Sequence, residues 1–126
     1  MHALETLPAW RVVADPSSIE TLLANTGATV LRFALDDALV LATTQPSVTD
    51  QHAIVVPDHG WSGTWLTRAN FDTAVRPFID WELPVDGIAQ GLVAGVPAKV
   101  LIGTDLVLVA CLTAYAHELT ERLEKL

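Results

Sequence analysis

The chain has 126 residues, about one domain's worth, with 51% apolar and 17% charged residues, below the roughly 25% charged that is usual for soluble domains. Fifteen Asp and Glu stand against seven Lys and Arg, a net charge of −8. The basic residues are scattered, so the concentrated positive patch that nucleic acid or an anionic membrane surface requires is missing and neither is an expected partner.

Met1 to Glu5 has no basic region and no apolar core of a secretory peptide, which predicts a cytoplasmic protein. The longest apolar run, Leu106–Leu112, falls far short of the ~20 residues that span a bilayer. The single cysteine, Cys111, offers no internal disulfide and no multi-cysteine zinc site. Its place in that apolar run predicts a buried, inert thiol.

In chain order, Trp10–Val13 reads as a short edge strand. Asp15 as N-cap and Pro16 at the first helical position open a helix, with Ile19, Leu22 and Leu23 on one face and Gly27 at its exit. Thr29–Leu35 and Ala38–Thr43 form a hairpin around Asp36-Asp37. Residues 45–50 are polar loop, and Ala53–Val56 is a strand stopped by Pro57 and the turn residues Asp58, His59 and Gly60. Trp61–Leu66 reads as a further strand. Asn70 caps a second helix carrying Phe71, Val75, Phe78 and Ile79 on one face, with Pro77 expected to kink or restart it.

The segment Gly91–Leu126 is the most informative. It reads as a strand pair, Gly91–Ile102 and Leu106–Leu112, turning at Gly103-Thr104-Asp105 and followed by a helix. From Ile88 to Ala116 the only formal charges are Lys99 and Asp105, so both faces of the pair need cover, from the chain's own helices or from a second subunit. In the helix, Leu112, Ala116, Leu119, Leu123 and Leu126 form a narrow seam, and Glu118–Arg122 and Glu121–Lys125 are i,i+4 pairs. The pattern predicts one α+β domain over 1–126: a mainly antiparallel sheet of five to six strands built from hairpins, with about three packed helices. Leu108, Val100, Leu119 and Phe78 are expected in the core. A homodimer through the 91–112 hairpin, the last helix or both is the expected assembly, with a protein partner as a further expectation.

The first place to look for chemistry is Asp58-His59-Gly60-Trp61-Ser62-Gly63, a carboxylate, an imidazole and a hydroxyl at a strand end. Asp58, His59 and Ser62 are the catalytic candidates. A nucleophile elbow fails because Thr64 stands where a second glycine is needed. His52, Asp58, His59 and His117 show no metal-ligand spacing, so no metal is expected. Asp80, Glu82 and Asp86 around Trp81 read as a solvated acidic linker. Gly87, Gly91 and Gly95 do not match a phosphate cradle, so no cofactor is expected; Gly95 before Pro97 reads as a bulge or a site of close backbone approach. Trp61 and Trp65, four apart on one strand, share a face as core, interface or pocket floor, and are the ligand-binding candidates.

The helix–hairpin opening and strand–strand–helix ending resemble the layout of small sensory domains of the GAF or roadblock type. The Gly91–Leu126 ending resembles the close of folate-binding aminomethyltransferase-like domains. Neither resemblance rests on a functional motif, so no residue role follows from it. The resulting expectation is a non-catalytic module acting by self-association or partner binding. The alternatives are a ligand sensor with an aromatic pocket and a small enzyme, or enzyme subunit, using the Asp58–Ser62 turn.

Overall fold

A computed structural model describes residues 3–24 and 27–124 and the backbone of Asn25. Strand β1 (Glu5–Thr6) is followed by β2 (Ala9–Val13), helix α1 (Pro16–Asn25), β3 (Thr29–Ala34), β4 (Asp37–Leu41) and β5 (Ile54–Pro57). Then come β6 (Trp61–Thr67), α2 (Arg68–Ala74), a 3-10 turn (Arg76–Phe78), β7 (Gly87–Val93), β8 (Val96–Ile102) and β9 (Leu106–Leu112). A second 3-10 turn (Thr113–Tyr115) leads into α3 (Ala116–Leu123). The α+β class and antiparallel hairpins agree with the sequence reading. The strands are shared between two sheets, ordered β1-β6-β9-β8-β7 and β3-β4-β2-β5, where one was expected, because periodicity reveals strands without revealing their neighbours. Two compact units result: Leu7–His59, and Met1–Thr6 with Gly60–Leu126.

In the Leu7–His59 unit, Asp15 caps α1: its Oδ1 accepts the Ser18 N–H at 2.8 Å and the Ser17 hydroxyl at 2.7 Å. Ile19 and Leu22 pack with Val12, Ala14, Ala38 and Val40 of the sheet. Leu23, expected beside them, is 42% exposed, since the contact line runs along Ile19 and Leu22 and leaves it on the outer side. The helix exit through Thr26, ahead of Gly27, lies outside the described residues. The predicted hairpin is present, with its turn at Leu35-Asp36 and Asp37 already in β4. Trp10–Val13 is not an edge: β2 pairs with β4 on one side and β5 on the other.

Hydrogen bonding, led by the Ser17 hydroxyl, holds the Asp15 carboxyl below its ordinary value. A carboxylate depressed by folding adds stability above its unfolded pKa, and that gain is lost as pH falls through the folded one. Asp15→Ala should therefore be less stable than wild type at neutral pH, and urea melts of the two should converge in strongly acidic buffer. A gap that stays constant over that range would remove the capping carboxylate as its source.

In the second unit, alternation along the ladders gives the five-stranded sheet two faces. One carries Leu66, Val93, Val96, Val100, Ile102, Val107, Val109 and Cys111 into a core completed by Phe71 and Val75, and by Leu119 and Leu123 of α3. Val100, Leu108 and Leu119 are buried as predicted. Phe78 reaches only the margin of the core, because α2 has ended at Ala74 and Pro77 sits in the 3-10 turn beyond it. The cap of α2 is Thr67 rather than Asn70: its hydroxyl accepts the Asn70 N–H at 3.1 Å, starting the helix earlier. In the C-terminal seam, Leu112 belongs to β9, and Leu126 and the Glu121–Lys125 pair lie outside the described residues. The Glu118–Arg122 pair forms, and His117 is exposed beside Glu121.

The stretch 91–102 is not a single strand. It folds back at Ala94-Gly95, whose φ angles of 51° and 79° make a tight turn suited to the strand twist. An alanine at the first turn position gives no sequence signal for it. Ala94 is held there by two bonds: its N–H reaches the Phe78 carbonyl at 3.0 Å and its own carbonyl accepts from Arg122 Nη1 at 2.7 Å.

Trp81 leaves the acidic linker to lie on β7, donating Nε1–H to the Leu92 carbonyl at 2.8 Å. A Cβ on Gly91 would stand 2.4 Å from the indole ring, so close aromatic approach explains this glycine. Gly91→Ala should cost ~1–3 kcal/mol by overpacking, read by chemical denaturation, and much less in a Trp81→Ala background. Equal cost in both backgrounds would place the conflict elsewhere.

Candidate functional site

Asp58 directly follows β5, and its environment is set by Arg11 of β2. Arg11 makes two hydrogen bonds to the Asp37 carboxylate, Nε to Oδ1 at 2.6 Å and Nη2 to Oδ2 at 2.7 Å, and its Nη1 lies 3.8 Å from Asp58 Oδ2. Arg11 is paired with Leu39 and Val56 across the two ladders, so Asp37 and Asp58, each two residues further along, are same-face diagonal neighbours. The β3 irregularity between Arg32 and Ala34 sets Phe33 under the guanidinium, 4.8 Å from its ring centroid. The Asp37 hydrogen bonds raise the Arg11 pKa further, against the opposing effect of burial. Asp58 therefore helps balance a permanently charged arginine.

The other two catalytic candidates differ from it. His59 is exposed. Ser62 sits in β6, in the other unit, 1% exposed, with its hydroxyl 3.0 Å from Thr113 Oγ1. Strand alternation places it on the core side, opposite Cys111. The neighbouring Gly60 carbonyl accepts the Thr113 N–H at 2.7 Å, so the turn is tied to the end of β9. Of the three residues, Asp58 bonds within one unit and Ser62 within the other.

Among the described residues no group of three or more His, Cys, Asp or Glu could hold a metal ion. His52 donates its backbone N–H to Asp50 Oδ1 at 2.9 Å in its own loop. Burial pushes the Cys111 thiol up to about 11, which keeps it protonated and poorly nucleophilic at neutral pH. An aromatic disulfide reagent should label the native protein orders of magnitude more slowly than the urea-unfolded chain. Rapid native labelling would mean that β9 is accessible from the core side.

The accessible chemistry lies at one end of the five-stranded sheet. The β8–β9 ladder runs from Ile102 opposite Val107 to Lys99 opposite Ala110 and stops there; two residues on, Pro97 has no N–H to extend it. Beside this break is a cleft of about 390 Å³, walled by Trp61, Leu92, Pro97, Leu112, Gln90 and Lys99 among others. Trp61 faces Leu112, and Leu92 faces Pro97, across their ladders; all four lie on the face opposite the core. Leu92 and Leu112 are 52% and 44% exposed, whereas Trp61 is largely covered at 9%. At the polar end, Lys99 Nζ donates to Gln90 Oε1. Of the two ligand candidates, Trp61 lines this cleft and Trp65, on the same face, does not. The sequence signal for the cleft was Pro97 inside an apolar strand.

A second cleft of about 680 Å³ lies in the Leu7–His59 unit between α1 and residues 42–49, with hydroxyls of Ser18, Thr21, Thr43 and Thr49 in its wall. Ser18 and Thr49 are hydrogen-bonded to each other at 3.0 Å. No helix among the described residues is long and apolar enough to cross a membrane. No protein-family model matches the chain, and no match is found among curated proteins.

Proposed function

We propose that the chain is a small non-catalytic module that works by association, and that its docking surface is the face of the 91–112 segment turned away from the core. The observation that carries this reading is the exposure of Leu92 and Leu112, at 52% and 44%, at one end of that face; Leu106 is exposed at the other end, and Leu108 and Ala110 between them are buried. Exposed apolar side chains grouped on one surface are the usual mark of an interface. The other surface considered from sequence, the seam of the last helix, is spent on the chain's own core through Leu119 and Leu123. A second copy is the favoured occupant, since isologous pairing is the commonest way for a small chain to bury such a surface. Two copies of net charge −8 repel, so association should strengthen with moderate salt.

A second reading, binding of a small ligand, is favoured by one observation: the cleft beside Trp61 has a volume within the range of ligand pockets. The enzyme reading has less support, with Asp58 engaged by Arg11 and Ser62 by Thr113.

Light scattering across a concentration series tests association. Wild type should be a dimer at high micromolar concentration, Leu112→Asp should be monomeric with unchanged circular dichroism, and His59→Ala should behave as wild type. A wild-type protein that stays monomeric, or a Leu112→Asp protein that stays dimeric, would remove this surface as the docking site.

A further inference from the structure

We infer that the pocket between α2 and the linker residues 83–85 binds a small apolar monocarboxylate, its body among Phe71, Leu83 and Val85 and its head on Arg68 and Arg76. This goes beyond association with a second copy and rests on a different part of the unit: none of the exposed leucines of the association surface lines this pocket.

Two cations share one small space. Arg68 opens α2 and Arg76 opens the 3-10 turn beyond it, and both line a pocket of about 260 Å³ whose wall, among the described residues, contains no Asp or Glu. Like charges brought to one site repel, and an anion placed with them lowers that cost. Arg68 Nη1 donates to the Gly103 carbonyl at 3.1 Å, a neutral acceptor that engages one of the guanidinium's five N–H donors. Arg76 Nη1 lies 3.7 Å from Asp72 Oδ1, with both side chains more than half exposed, a pairing that water screens to little value. Glu82, Asp86 and Asp105 flank the wall in sequence without lining it. That acidic surround disfavours a dianion such as phosphate and leaves room for a monoanion, and a planar carboxylate fits the guanidinium fork with two parallel bonds. The apolar walls decide the body. Phe71, Ile102 and Val107 belong to the core and Leu83 packs against it, while Val85, 90% exposed, is the hydrocarbon that a bound apolar group would cover. The volume suits a single ring.

Benzoate, benzamide and benzylammonium put an anion, a neutral amide and a cation on a common ring. Each would be titrated into the full-length protein, read by backbone amide shifts and by the Nε–H signals of Arg68 and Arg76, with light scattering on the same samples. Benzoate should bind saturably, shifting the Phe71, Leu83 and Val85 amides and both arginine signals, about tenfold more tightly than benzamide. That advantage should shrink as salt is raised. Benzylammonium should bind more weakly than either, and inorganic phosphate should not displace benzoate at equal concentration. Arg68→Gln and Arg76→Gln should each lower benzoate toward the level of the amide. Equal affinity for benzoate and benzamide, a preference that survives both substitutions, displacement by phosphate, shifts that map away from the pocket, or no saturable binding would each overturn the proposal. Should Arg68→Gln fail to fold, Arg76→Gln and the probes on wild type decide it. Failure of benzoate to bind a protein that still dimerises would defeat this inference alone and leave the association reading standing.

Discussion

The structure of the Gly60–Leu126 unit depends on the burial of one face of β8 and β9 beneath the last helix. Val100, Val109 and Leu119 have no measurable exposure, and α3 reaches them because Thr113–Tyr115 turns the chain directly from β9 back over the sheet. This packing covers one face of the two strands; the other carries Lys99 among apolar residues. It also consumes the helix's own seam. On the opposite face Leu108 and Ala110 are buried as well, while Leu92, Leu106 and Leu112 remain exposed.

Two arginines that composition shows only as scattered charges fix the tips of these strands. Arg122 of α3 donates to the Ala94 carbonyl at the β7–β8 turn, and Arg68 of α2 donates to the Gly103 carbonyl at the β8–β9 turn, at 3.1 Å. Each ties a hairpin tip to a helix that is itself anchored in the core. Against this fixed frame, Pro97 removes one donor and the ladder ends. The cleft thus follows from a missing hydrogen bond in an otherwise well-held sheet, and Trp81 closes the neighbouring edge by taking the outward carbonyl of Leu92.

The Asp58–Ser62 segment carries a carboxylate and a hydroxyl with distinct bonding partners. The residues are consecutive across the boundary between the two units. Asp58 is part of an arginine-centred charge balance with Asp37, and Ser62 points, by strand alternation, to the side of the sheet where Thr113 bonds it.

The sequence by itself determined the α+β class, the first hairpin, the capped opening of α1 and the burial of Val100, Leu108 and Leu119, because capping, turn chemistry and hydrophobic period are local properties of neighbouring residues. Only the tertiary structure decided that Trp10–Val13 is an inner strand, that 91–102 folds back at Ala94-Gly95, that Thr67 caps α2, and that Trp81 lies over Gly91. Each of these depends on a partner distant in the chain: β5 for the inner strand, Arg122 and Phe78 for the turn, and β7 for the tryptophan. The cap differs in kind, since Thr67 and Asn70 lie in one turn and the choice between them rests on where β6 ends against β9. Pairing partners set by long-range burial leave little trace in local pattern, which is why the strands were legible and the cleft they frame was not.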